Sequence, residues 1–190
     1  MYITQLRQEL NRMLEMAKSN IATSFQAVLE RDTRRLEEAE ATEEYIDFLN
    51  KEISQYISKV IVHETNEQDS TAVSAYFKIT GNIERIGDHA MNICEYTQMM
   101  KEKHIRFSEE AQEELRSMES VCLETMDLLE QEAIHPTEWL TKVSALEQRI
   151  DDMTEEYRRR QLERMKQGSC SDEGCIIFSE LLTDFERIGD

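Results

Sequence analysis

The chain has 190 residues, 40 acidic against 22 basic, and a formal net charge of −18. That balance excludes a nucleic-acid partner, because neutralising phosphates takes clustered Lys and Arg, and it favours cations or basic protein surfaces. One Pro, five Gly and 33% charged residues, with abundant Glu, Leu, Met and Arg, exclude a sheet-rich fold and read as long helices, so the expected class is all-α.

The pattern of apolar residues at three- and four-residue steps gives six helices, at roughly 3–31, 33–62, 69–101, 108–133, 137–167 and 174 to the end. The second carries Ile46, Leu49, Ile53, Tyr56 and Val60 on one face, together with the acidic pair Glu43 and Asp47. Turn chemistry in HETNEQDST, residues 63–71, separates it from the third, which carries Glu84 and Asp88 within NIERIGD. A softer break lies in KEKHIRFS at 101–108, and the HPTE segment with Pro136 divides the fourth helix from the fifth. The fifth holds Leu146, Ile150, Met153 and Tyr157 along with Glu147 and Asp151. After the glycine-containing KQGSCSDEG at 166–174, the last helix ends in DFERIGD with Glu186 and Asp190. No stretch approaches the ~20 apolar residues of a membrane span, and the N-terminus lacks the apolar core of a signal peptide, so no membrane insertion is expected. Cys94, Cys122, Cys170 and Cys175 show no CxxC spacing and no nearby histidine pair, which argues against a zinc finger and for free thiols in a reducing compartment.

NIERIGD, ending at Asp88, returns as DFERIGD, ending at Asp190, and EEYIDFLNKEI from Glu43 has a weaker counterpart in EQRIDDMTEEY from Glu147. The chain therefore divides into two three-helix repeats, 1–104 and 105–190, expected as tandem antiparallel bundles. In each ExxxD pair the i,i+4 spacing stacks two carboxylates on one helix face, where they repel unless they face water or hold a cation. Spacing alone is weak evidence, since roughly eight such pairs arise by chance in a helical chain this acidic. Register strengthens it: with Ile46, Thr80, Ile150 and Leu182 at heptad position a, every Glu falls at e and every Asp at b. Glu43 with Asp88 and Asp47 with Glu84 both centre on 65.5, while Glu147 with Asp190 and Asp151 with Glu186 both centre on 168.5. Each midpoint lies inside a turn, so four carboxylates should converge in each bundle on a site for Mg²⁺, Mn²⁺, Fe or Zn²⁺. The alternative is a solvated face paired with Arg85 and Arg187. Gly87 and Gly189 stand mid-helix at the seam, which reads as close helix packing. His89 reads as a surface histidine beside Asp88, with metal ligation or carboxylate orientation as the sharper option.

ERIGDHAMNICE, residues 84–95, and the terminal LLTDFERIGD resemble the signature of the PhoU family, regulators of bacterial phosphate uptake. The resemblance runs over nearly the whole chain as two repeats. It implies two three-helix bundles side by side, with ExxxD carboxylates that hold iron or zinc in some members, and so carries to the four pairs above. Manganese and magnesium are the further candidates. Members occur as standalone cytosolic proteins that restrain a phosphate transporter and its sensor kinase, and as the cytosolic tail of sodium/phosphate cotransporters. RMKQGSCSDEGCIIFSELLTDFERIGD is more similar to the cotransporter tail. The resemblance thus implies a metal-binding regulatory domain at the inner face of the plasma membrane, partnered by the transporter's membrane domain or a sensor kinase, with a homodimer as a further option. The first repeat continues past ERIGD with His89, Ala90, Asn92 and Ile93 where the second stops at Asp190, so the last helix reads as cut short.

Two other classes compete. A ferritin-like di-iron enzyme needs two ExxH motifs in a four-helix core, and only Glu132 to His135 fits one. A purely structural coiled-coil adaptor would share the heptads but has no reason to repeat ERIGD in matched register. The absence of GxSxG, a glycine-rich phosphate loop and HExxH gives hydrolysis no support, and no enzymatic activity is expected.

Overall fold

The computed structural model describes residues 2–63, 67–131 and 136–189, all helices and connections among the described residues. The six helices are α1 (Tyr2–Glu30), α2 (Leu36–His63), α3 (Glu67–Glu102), α4 (Glu109–Gln131), α5 (Pro136–Lys166) and α6 (Asp172–Gly189). The all-α expectation holds. Some boundaries move by two or three residues: α2 begins at Leu36 rather than 33 and α6 at Asp172 rather than 174, while α3 already runs from Glu67, through residues read as part of a turn. Polar residue types that favour turns also favour the first turn of a helix, which is why composition alone could not separate the two. Glu132 and His135 lie outside the described residues.

Helix ends are set by local chemistry. α1, α3 and α5 each finish with one left-handed residue, Arg31 (φ 51°), His104 (φ 56°) and Gly168 (φ 68°). In each case the next N–H reaches back five residues: Asp32 to Ala27 O at 3.0 Å, Ile105 to Met100 O at 2.9 Å, and Ser169 to Arg164 O at 2.9 Å. These are Schellman closures, and they satisfy carbonyls that would otherwise be orphaned. Ser108 Oγ accepts from Ala111 N–H at 3.2 Å to start α4, and Ser171 Oγ accepts from Gly174 N–H at 3.0 Å to start α6. Pro136 opens α5, where a missing N–H costs nothing.

Consecutive helices run antiparallel. Asn20 donates to Ala39 O at 2.9 Å and Arg12 to the Tyr45 hydroxyl at 3.0 Å, numbers rising on α1 as they fall on α2. Helices α1, α2 and α3 contact one another, and so do α4, α5 and α6. Two seams join these trios: α1 packs on α4, and α3 packs on α6. The apolar faces form one continuous core, including Phe25, Ile46, Ile83, Ile93, Leu115, Met118, Phe178 and Phe185. Across the α1–α4 seam Lys18 pairs with Asp127 and Gln26 donates to Glu119. None of the described helices is long and apolar enough to cross a membrane.

A disulfide between Cys170 and Cys175 corrects the reading of four free thiols, while Cys94 and Cys122 are free and buried. The spacing of the pair matched no familiar motif, and only the fold of the α5–α6 turn brings the two sulfurs together.

Within the second trio Glu114 of α4 is 2% exposed and receives two parallel hydrogen bonds from Arg164 of α5, at 2.8 and 2.9 Å. The Arg164 guanidinium also lies 5.1 Å from the Phe178 ring centroid on α6. One arginine thus ties three helices. Glu114→Ala is expected to destabilise the protein by about 3 kcal/mol, because it leaves a buried charge short of its partner. Glu114→Leu with Arg164→Met should cost less than that single change in urea denaturation; an equal or larger loss would remove the pair as the source.

Candidate metal centre

Glu43 and Asp47 lie one turn apart on α2, and Glu84 and Asp88 one turn apart on α3, so both pairs face the seam between these helices. Ligand oxygens of Glu43, Asp47 and Asp88 all fall within 4.8 Å of one another. Glu43 is only 8% exposed. Both of its carboxylate oxygens, and Asp47 Oδ1, are buried and meet no hydrogen-bond partner. Leaving such atoms without a donor is costly, and either a proton or a cation relieves the cost.

The electrostatics agree. Burial, and then the neighbouring Asp88 and Asp47 carboxylates, push the Glu43 carboxyl up to about 8. Asp47 is raised by burial and by Asp88, with Lys51 acting in the opposite sense. Glu84 is raised by burial and by the charges of Asp88 and Asp47, which places it beside the same cluster. An all-oxygen, all-anionic donor set of this kind fits a hard or borderline cation.

Gly87 makes the arrangement sterically feasible. A Cβ at this position would stand 2.5 Å from Glu43 Oε2, so the carboxylate occupies space that any other residue on α3 would fill. The close approach expected at Gly87 is thus a carboxylate lying against helix backbone. At Gly189 a Cβ would instead meet the Ile150 side chain at 2.8 Å.

That contrast separates the two repeats. Glu147 and Asp151 are exposed on α5, and Glu186 is half-exposed and pairs with Arg158 at 3.6 Å. Asp190 lies outside the described residues. Ile150, three residues after Glu147, takes the place against the second glycine that Glu43 takes against the first. Among the described residues, the first repeat's acids are gathered and the second repeat's are not.

His89 turns away from Asp88 and toward the other trio. Its Nδ1 lies 2.8 Å from Asp184 Oδ1 on α6, Asn92 Nδ2 donates to the same oxygen at 3.1 Å, and the Tyr96 hydroxyl donates to Asp184 Oδ2 at 2.7 Å. His89 is therefore a buried orienting group at the α3–α6 seam and not a surface residue. Burial alone would raise the Asp184 carboxyl; hydrogen bonds from His89, Tyr96 and Asn92 outweigh it and hold the group below its ordinary range. Asp184 was not singled out from the sequence, although an acid inside the apolar run LLTDF was a usable signal.

Antiparallel helical trios joined along two seams, with a carboxylate cluster between the second and third helices, define the class to which this molecule belongs. The PhoU domain profile matches residues 10–97, a span holding Glu43, Asp47, Glu84 and Asp88. Over 190 residues the chain is 23% identical to the phosphate-specific transport system accessory protein PhoU homolog 1 of Thermotoga maritima, covering 99% of this chain and 81% of that one. Its fold superposes on the crystal structure of PhoU from Pseudomonas aeruginosa with a TM-score of 0.90 and 16% identity, covering 98% and 89% of the two chains. The phosphate transport system regulatory protein PhoU from Streptococcus pneumoniae gives 0.84 and 17%, covering 99% and 88%. Residues 10–97 thus carry a PhoU domain, and the whole chain has the fold of these PhoU proteins.

Two outcomes follow from this geometry. Gly81 has open space where a Cβ would go, so Gly81→Ala should stabilise the protein by roughly 0.5–1 kcal/mol, whereas Gly87→Ala should displace Glu43 and weaken manganese or zinc binding at least ~10-fold by calorimetry. Undiminished affinity in Gly87→Ala would separate the glycine from the site. In cation-free protein, a Glu43 carboxyl raised from 4.5 to about 8 binds its proton more tightly when folded. Its contribution is complete below pH 4.5 and lost as pH rises through 8, so the melting temperature should fall between pH 5 and 8.5. Glu43→Gln should flatten that fall; an unchanged slope would assign it to other groups.

Proposed function

We propose that this chain acts as a standalone PhoU-type regulator, restraining a phosphate transporter and its sensor kinase from the cytoplasmic side of the membrane. The observation that carries this reading is the alignment with an accessory protein of phosphate-specific transport, which runs through 99% of this chain and 81% of that relative. The same alignment weighs against the cotransporter-tail reading favoured by the sequence of the last two helices, and the standalone alternative takes its place. Residues 1–104 and 105–190 serve as the two repeats of the regulator, and binding rather than turnover is all that the role asks of them.

In this proposal the first repeat holds a metal ion, iron or zinc in the first instance and manganese or magnesium as alternatives, through Glu43, Asp47 and Asp88, with Glu84 beside them. Support comes from the partnerless buried oxygens of Glu43 and Asp47. The ion would replace a proton at Glu43 and quench the repulsion among like charges, locking α2 against α3. Glu147 and Asp151, exposed, and Glu186, paired with Arg158, are not among the ligands of this first-repeat site.

Two measurements test the reading separately. Elemental analysis of tag-free, chelator-free protein should find near-stoichiometric metal, lost in the Glu84→Ala/Asp88→Ala variant, which should in turn be more stable than the metal-free parent. Unchanged stoichiometry in the variant would sink the site assignment. Deleting the gene should raise phosphate uptake in phosphate-replete cells, with restoration by the intact chain; uptake that stays at the parental rate would sink the regulatory role.

A further inference from the structure

Cys170 sits in the α5–α6 connection and Cys175 in the first turns of α6; they are bonded across a sequence separation of five, with Cα atoms 6.3 Å apart. A disulfide stabilises through the unfolded chain in proportion to the logarithm of the loop it closes, and this loop is very short. The turn is also held without it. Gly168 ends α5 in the left-handed region, Ser169 N–H closes on Arg164 O, Ser171 Oγ caps α6, and Cys175 N–H donates to Ser171 O at 2.9 Å. As a staple the bond therefore contributes less than one closing a long loop would.

Its two sulfurs are chemically unequal. Cys175 is 4% exposed in the first turns of an 18-residue helix, packed away from solvent. Cys170 is half-buried between exposed Ser169 and Ser171, with Gln161 Nε2 donating to its sulfur at 3.7 Å. An incoming thiolate can approach Cys170 but not the buried Cys175, so Cys175 is the sulfur that leaves. The remaining thiols do not compete: burial pushes Cys94 up to about 11 and raises Cys122 further.

We propose that Cys170 and Cys175 form a redox-active pair that exchanges with low-molecular-weight thiols of the glutathione class. A thiolate attacks Cys170 Sγ, the protein S–S bond breaks, and its electron pair leaves on Cys175. A second thiolate attacks the small thiol's sulfur in that mixed disulfide, Cys170 leaves with the electron pair, and the two small thiols depart joined as a disulfide. Two electrons and two protons pass to the protein, and the reverse sequence restores the bond. Cys175 and Ile176 line a groove of about 830 Å³ with Met165, Tyr96 and Glu180, so the two redox forms differ at its wall.

The test equilibrates the intact chain in buffers of varied reduced-to-oxidised glutathione ratio, followed by acid quench, alkylation and peptide mapping. The expected result is a reversible transition of Cys170 and Cys175 within the glutathione range, with Cys94 and Cys122 reduced throughout. The melting temperature should drop by roughly 4–8 °C on reduction. Cys175→Ser should trap glutathione on Cys170, at least ~10-fold faster than Cys170→Ser traps it on Cys175. A pair that stays oxidised at every ratio and yields only on unfolding would be a structural bond and would overturn the proposal. So would a pair that stays reduced in excess glutathione disulfide.

Discussion

A carboxylate pressed against the backbone of a neighbouring helix, with no donor for either oxygen, is the constraint on which the first repeat is organised. Glu43 reaches that place because α3 has no side chain at Gly87, and it is costly to keep there as an anion because Asp47 and Asp88 stand within 4.8 Å. Packing supplies the cluster and electrostatics penalises it. Such a site is poised between protonation and cation binding, since each removes the same unfavourable charge. The helices around it are long and share one continuous apolar core, so the backbone can hold this arrangement without moving Glu43 into solvent.

Two other buried polar clusters position the surrounding helices. Asp184 brings α6 onto α3 through His89, Asn92 and Tyr96, and Glu114 brings α4 onto α5 through Arg164, which also covers Phe178. Both differ from the Glu43 cluster in being satisfied: every carboxylate oxygen in them has a donor. Fully paired networks fix the relative register of packed helices, because a slip of one turn would strand a charge in the core. The contrast between satisfied and unsatisfied buried carboxylates distinguishes the parts of this molecule that hold the fold from the part that can hold a ligand.

The repeat in the sequence is not a repeat in chemistry. ERIGD occurs twice, yet Gly87 faces a glutamate and Gly189 faces Ile150. The second trio has filled its seam with a branched apolar side chain and left Glu147 and Asp151 to solvent, while Glu186 has found Arg158. An apolar residue against the glycine needs no counter-charge, so this contact holds by packing alone.

Residue order alone was enough for the helical class and for the six segments, because hydrophobic period and capping residues are local properties that neighbouring residues decide. It also marked Gly87 and Gly189 as anomalies. Which glutamate would be buried was beyond it: the heptad register treats Glu43 and Glu147 alike, and only the packing of α5 on α6 sets Ile150 against Gly189 where the first repeat sets Glu43 against Gly87. The partner of His89, the ion pair of Glu114 and the joining of Cys170 to Cys175 likewise rest on contacts between helices or across a turn. Tertiary structure decided these because burial, not residue type, determines whether a carboxylate is a solvated surface charge, a satisfied node of the core or an unpartnered group whose cost a proton or a cation relieves.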